Sequence, residues 1–198
     1  DVLLNESDQQ IIVITGYRSD MSSAWVMPEG VRAIHRRRNG PSIWSLGGNT
    51  PLERIEHLLQ LHDVTLTTMC RLYGEDMVKR GKGRLLNMSS YSIWMPFPGL
   101  ALYSASKAYV KGFSEAFSRE LRNTGVSVTA ICPAGIATDL YGLSKDLQRF
   151  GVKTGILMSP RSCARRALNA MFKGRKVVVP DWWYRLLIPV CKYLPGFI

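Results

Sequence analysis

Acidic residues are scarce in this chain: 15 Asp and Glu stand against 26 Lys and Arg, a formal net charge of +11 over 198 residues. The excess reads as a basic surface that helps attract an anionic ligand. Nucleic-acid binding is excluded, because it needs a basic face with interleaved aromatics, and the short runs Arg36-Arg37-Arg38 and Arg161 to Arg166 do not supply one. Cysteines are few, and Cys70, Cys132, Cys163 and Cys191 form no close pair, which argues against a disulfide framework. Cys70 and Cys132 sit in apolar runs as core thiols, so a reducing, cytoplasmic setting is expected. His35, His57 and His62 lack a metal-ligand spacing with Cys or carboxylates, and no metal is expected. No signal peptide or bilayer-length apolar run is visible, nor any repeat or low-complexity stretch. The chain opens on Asp1 rather than Met, which fits a fragment or a processed product.

What is present is ordinary globular composition, 46% hydrophobic and 21% charged, enough to bury a core in one domain over 1–198. Within it, 1–48 is irregular in pattern, 49–180 is orderly, and 181–198 is an apolar tail. Ile11-Ile12-Val13-Ile14 reads as a buried strand ending at Thr15-Gly16. Asn49-Thr50-Pro51 opens a helical pattern that runs to Lys79, with Ile55, Leu58, Leu59, Leu61, Val64, Leu66, Met69 and Leu72 as its stripe. Strands follow at Leu85–Ser90, Val126–Ile131 and Lys176–Pro180. Helices are expected from Tyr103 to about Asn123, with Ala108, Val110, Phe113, Ala116, Phe117 and Leu121 as an apolar stripe, and from Ser159-Pro160 to Gly174. This alternation predicts an α/β fold, a parallel sheet covered on both faces.

Chemistry concentrates in two adjoining stretches, Asn87-Met88-Ser89-Ser90 and Tyr103-Ser104-Ala105-Ser106-Lys107. Tyr103 and Lys107 are four apart and share a helix face. A strand-end hydroxyl facing that pair makes a proton-transfer site.

These residues resemble the active-site segment of the short-chain dehydrogenase/reductase family, with its Ser followed thirteen positions on by the Tyr of Tyr-x-x-x-Lys. The resemblance runs from about Asn49 to Pro180 and implies a Rossmann-like doubly wound parallel sheet, incomplete in its N-terminal half. It implies an NAD(P)-dependent oxidoreductase in which Tyr103 is the acid/base and Ser90 polarises the carbonyl. Lys107 then binds the nicotinamide ribose and lowers the Tyr103 pKa from a free value near ~10. Pro133-Ala134-Gly135-Ile136-Ala137-Thr138 is similar to the family's Pro-Gly-x-x-x-Thr turn, which assigns Pro133, Gly135, Ile136 and Thr138 to the nicotinamide end of the cofactor. The family's fourth catalytic residue, an Asn 27 positions before the Ser, falls on Asp63, and His62 beside it reads as incidental. Asn87 takes a structural role.

At the N-terminus the resemblance assigns Thr15 and Gly16 to the pyrophosphate turn, but the later glycines of Thr-Gly-x-x-x-Gly-x-Gly are missing. Gly16, Ser22 and Ala24 fit a variant loosely. Asp1-Val2-Leu3-Leu4-Asn5 looks like the family's fourth strand in the wrong order, so 1–48 reads as a rearranged, truncated or frame-shifted cofactor half. NADP is favoured over NAD by Arg36-Arg37-Arg38 and the basic balance. The expected substrate is a small apolar carbonyl or alcohol, and a homo-oligomer is expected. The tail Asp181-Trp182-Trp183-Tyr184-Arg185-Leu186-Leu187-Ile188-Pro189 allows a substrate lid, a peripheral membrane contact or plain packing. A catalytically silent binding or scaffold protein stands as the rival reading.

Overall fold

The computed structural model describes residues 11–15, 31–35, 52–95, 99–138 and 143–193. The Gly16 turn, Ser22 and Ala24, Arg36–Arg38 and the Asn49–Pro51 helix start lie outside them.

Five parallel strands form one sheet in the order β2-β1-β3-β4-β5: β1 Ile11–Thr15, β2 Val31–His35, β3 Gly83–Met88, β4 Val126–Ile131 and β5 Val177–Val178. Among the described residues the α-helices are α1 Leu52–Leu59, α2 Thr65–Lys79, α3 Ala101–Glu120, α4 Lys145–Lys153, α5 Pro160–Phe172 and α6 Trp182–Tyr193. β3 is buried on both faces, and its side chains divide by the two-residue period of a strand. Leu85 joins Leu66, Cys70, Val110 and Val128 under α2 and α3, whereas Leu86 joins Ile131, Ala164, Ala167 and Met171 under α5. The sheet is therefore covered on both sides, as the alternation predicted. Small residues at Ala164, Ala167 and Ala170 form the buried stripe of α5.

Two local features depart from the expected pattern. The helical pattern expected to reach Lys79 is divided by a π turn at Gln60–Val64. The wider turn shifts the helical phase: Leu58, Leu61 and Leu66 are buried, while Leu59, Val64 and Leu72 of the expected stripe are exposed. On α3 the buried face is largely polar, made of Ser104, Ser106, Lys107, Val110 and Ser114, while Ala108 and Ala116 face outward. Asn87 is wholly buried and satisfied there, donating to Ser114 Oγ at 2.8 Å and lying beside Cys70.

α3 gives way to a turn that ends at Gly125, whose φ of +77° favours glycine. A Cβ at that position would also collide with the Gly81 carbonyl oxygen at the entry to β3. The two turns thus meet backbone to backbone and set β3 beside β4.

The strand order reverses direction between β1 and β3. Ligands of open α/β sheets bind in the crevice outside the carboxyl ends of the strands at such a point. Thr15 ends β1 there, and Ile14 lies opposite Asn87 in the register. The segments that follow Met88 and Ile131 leave the sheet at this same edge.

Candidate active site

β3 delivers Ser89 and Ser90 to the crevice, and α3 faces them with Tyr103 and Lys107. Lys107 is the hub. Its side chain is 4% exposed, and Nζ donates to the Met88 carbonyl at 2.9 Å. In return the Ser89 hydroxyl donates to the Lys107 carbonyl at 2.7 Å. The ammonium stands 5.8 Å from the centre of the Tyr103 ring. Burial lowers its pKa to about 8, against a smaller opposing pull from Asp63. Met88 supplies its one hydrogen-bond acceptor among the described residues. An ammonium has three donors, so two N–H groups remain for a ligand.

Ser90 lies two residues past the strand, in extended backbone, and caps the 3₁₀ turn Tyr91–Ile93, its Oγ accepting from Ser92 N at 3.2 Å. Tyr91 N donates to the Pro133 carbonyl at 2.9 Å, which fixes the β4 exit turn next to the serine. Beyond it, Gly135 and Ala137 bond to Met158, and Ile136 bridges Met158 and is buried. Thr138 is 4% exposed, yet its Oγ1 has no hydrogen-bond partner among the described residues. Buried polar atoms are rarely left so, and this one lies past the carboxyl end of β4.

The π turn brings up the remaining groups. Asp63 is half-buried, with Oδ1 shielded and unpartnered among the described residues. Burial raises its pKa to about 6 against the pull of Lys107. His62 is 2% exposed, with Nδ1 2.8 Å from Ser106 Oγ and its ring edge-on to Tyr103 at 6.3 Å between centroids. Burial, aided by Lys107, pushes its pKa down to about 2, so it is neutral. His62 therefore is not incidental: the sequence count singled out Asp63, but it is the histidine that meets the tyrosine. The signal was the spacing Leu58, Leu61, His62, Leu66, which places His62 on the buried stripe.

The sequence pattern described as short chain dehydrogenase matches residues 47–147. The chain belongs to the short-chain dehydrogenase family. Very-long-chain 3-oxoacyl-CoA reductase of Mus musculus is 36% identical over 141 residues, which cover 68% of this chain and 45% of that one. Among solved structures, a short-chain dehydrogenase from Sphingobium yanoikuyae in complex with NADPH superposes with a TM-score of 0.67, at 20% identity and covering 89% of this chain and 91% of that one. The 3-ketoacyl-(acyl-carrier-protein) reductase of Brucella melitensis complexed with NADH gives a TM-score of 0.58 at 20% identity, covering 68% and 60%. These likenesses show the fold. The chain spans less than half the length of the curated relatives it matches.

The short-chain dehydrogenase edge is closed on one side by the C-terminal segment, which is a helix. Tyr91 Oη donates to the Tyr184 carbonyl at 3.0 Å, and Tyr184 and Ile188 pack on Tyr91, Cys132 and Val179. α6 is thus docked one residue from Ser90, through its inner face. Trp182, Leu186 and Val190, spaced four apart, point outward at 68%, 66% and 53% exposure.

Proposed function

We propose that this chain is an NAD(P)-dependent oxidoreductase acting between a carbonyl and its alcohol. The carrying observation is the buried Lys107 ammonium, held beside the Tyr103 ring with two donors to spare. The residues suit a nicotinamide nucleotide. Lys107 would hold ribose hydroxyls, the shielded Thr138 hydroxyl and the Pro133–Ile136 turn would meet the nicotinamide end, and Thr15-Gly16 would lie toward the phosphates. A bound nicotinamide supplies the hydride. In the reducing direction Ser90 donates a hydrogen bond to the substrate oxygen, and Tyr103 gives its phenolic proton to that oxygen as charge develops. Lys107 favours the resulting phenolate, each pKa unit being worth about 1.4 kcal/mol. Asp63 serves as an acceptor toward the proton route.

NADPH and NADH in the two superposed structures support the cofactor class, and NADP is favoured by Arg36–Arg38. The mouse relative's name supports a carbonyl on a long apolar chain. Titrating NADPH and NADH against nicotinamide fluorescence tests the reading. Saturable binding with NADPH the tighter is expected; no saturation with either overturns it and leaves the silent-scaffold reading.

A second surface suggests where such a substrate is met. Leu147, Phe150 and Ile156 are exposed on α4 and its exit, and Tyr184 Oη donates to the Ile156 carbonyl at 3.4 Å, so this apolar strip adjoins the Trp182 end of α6. Lys145, Arg149, Lys153 and Arg185 are interleaved, against Asp146, which pairs with Arg149. Apolar side chains with a tryptophan and a basic excess suit an anionic bilayer surface. Salt-sensitive co-sedimentation with phosphatidylserine vesicles, lost in Leu186→Glu, is expected. Absence of sedimentation, or a dimer abolished by the same change, refutes it.

A further inference from the structure

We propose that His62 is a positioning residue: through Ser106 it clamps the backbone of Tyr103 to the π turn, and its ring edge braces the phenol. The proposal rests on the oxidoreductase reading above.

The hydrogen-bond arithmetic is closed. Ser106 Oγ lies 2.9 Å from the Tyr103 carbonyl and 2.8 Å from His62 Nδ1. A carbonyl only accepts, and a hydroxyl has one proton. With the serine proton on the Tyr103 carbonyl, Oγ accepts from an N–H on Nδ1. That assigns the Nδ1–H tautomer to His62 and leaves Nε2 as the acceptor nitrogen.

Both halves of Tyr103 are then held from one residue. The relay reaches its carbonyl, and the imidazole edge meets its ring at 69°. Lys107 stands near the same ring, its Nζ 5.8 Å from the centroid. An uncharged brace matters here, because a second cation would compete with Lys107 for the phenolate. Besides Lys107 and Tyr103 on α3, the titratable neighbour is Asp63 on the π turn itself. Burial and Lys107 keep the imidazole neutral at working pH. The clamp also joins residues 44 apart in sequence, tying the segment before β3 to the helix after it.

Three variants separate positioning from general damage. His62→Leu removes the donor, Ser106→Ala removes the relay, and His62→Asn places an amide N–H near the old Nδ1 position. Single losses in kcat of roughly 10- to 100-fold are expected, as for a misplaced reactive group, with NADPH affinity within twofold of wild type. The double variant His62→Leu/Ser106→Ala should be no worse than the poorer single, since both break one connection. His62→Asn should recover most of the rate. Multiplicative losses, or His62→Asn as poor as His62→Leu, overturn the proposal. Nitrogen NMR of labelled histidine reads the wiring without turnover: a protonated Nδ1 from pH 5 to 9, lost in Ser106→Ala, is expected, and an Nε2–H or charged ring refutes it. A chain with no activity would sink the proposed function and leave this claim to be decided by the tautomer.

Discussion

Ser89 and Lys107 bind each other's backbone neighbourhood in both directions, the serine hydroxyl to the lysine carbonyl at 2.7 Å and the lysine ammonium to the Met88 carbonyl at 2.9 Å. Two hydrogen bonds of opposite sense pin one turn of α3 to the end of β3. The spacing of Ser89 and Lys107 is consequently fixed by strand end and helix together.

Activity and stability should respond to Lys107 in opposite ways. Its ammonium is present below about pH 8 and lost above it, so kcat for carbonyl reduction should fall as pH rises through 8. Since the folded pKa lies below the ordinary 10.5, the unfolded chain binds the extra proton between 8 and 10.5, and stability should rise with pH across that window. Parallel kcat and thermal-melting profiles check both. Tyr103→Phe should remove turnover at every pH while NADPH still binds.

Thr138→Val tests the shielded hydroxyl. A buried hydroxyl without a partner costs about 1–3 kcal/mol, so the variant should melt at the same temperature or higher. Its NADPH affinity should drop about fivefold, the worth of one ordinary hydrogen bond near 1 kcal/mol. A less stable variant with unchanged affinity would show that the hydroxyl serves the fold.

Asp63 and His62 should oppose each other in acid. As pH falls from 6.5 toward 2, the unfolded chain protonates its histidine first and stability declines. From about 6 to 3.8 the folded chain protonates Asp63 first and stability rises. Asp63→Asn removes the second effect alone. Its melting temperature should therefore fall more steeply than wild type between pH 6 and 4, and identical profiles would disprove the opposition.

Gly125→Ala should destabilise the fold by at least about 1–2 kcal/mol for the left-handed backbone alone, with the Gly81 contact adding to it. Chemical denaturation measures this, and a loss under 0.5 kcal/mol on that same scale would mean that the two turns can part.

Much of this was legible because it is local. Tyr103 and Lys107 sit one helical turn apart, Ser159 does cap α5 by accepting from Ser162 N at 3.2 Å, and the β-branched run of β4 declares a buried strand. What stayed hidden depends on distance or phase. His62 finds its partner 44 residues away, and no pattern within either helix announces that. The stripe through Leu59 and Val64 followed α-helical spacing, and the π turn shifts that spacing so that both side chains are exposed. On α3 the apolar rule misjudged the buried face, since a reactive site needs polar groups where a core would not.

The π turn has a consequence for how this site tolerates change in length. It holds one residue more than an α turn, and each residue of a helix is worth about 100° of rotation. Deleting a residue within Gln60–Val64 would leave α2 seated by Leu66 and Cys70 and swing everything before it about that axis. Leu58 and Leu61 would leave their places, and the imidazole with them. The surplus residue works as a phase shifter between two helices, and the approach of the imidazole to the Tyr103 ring depends on it.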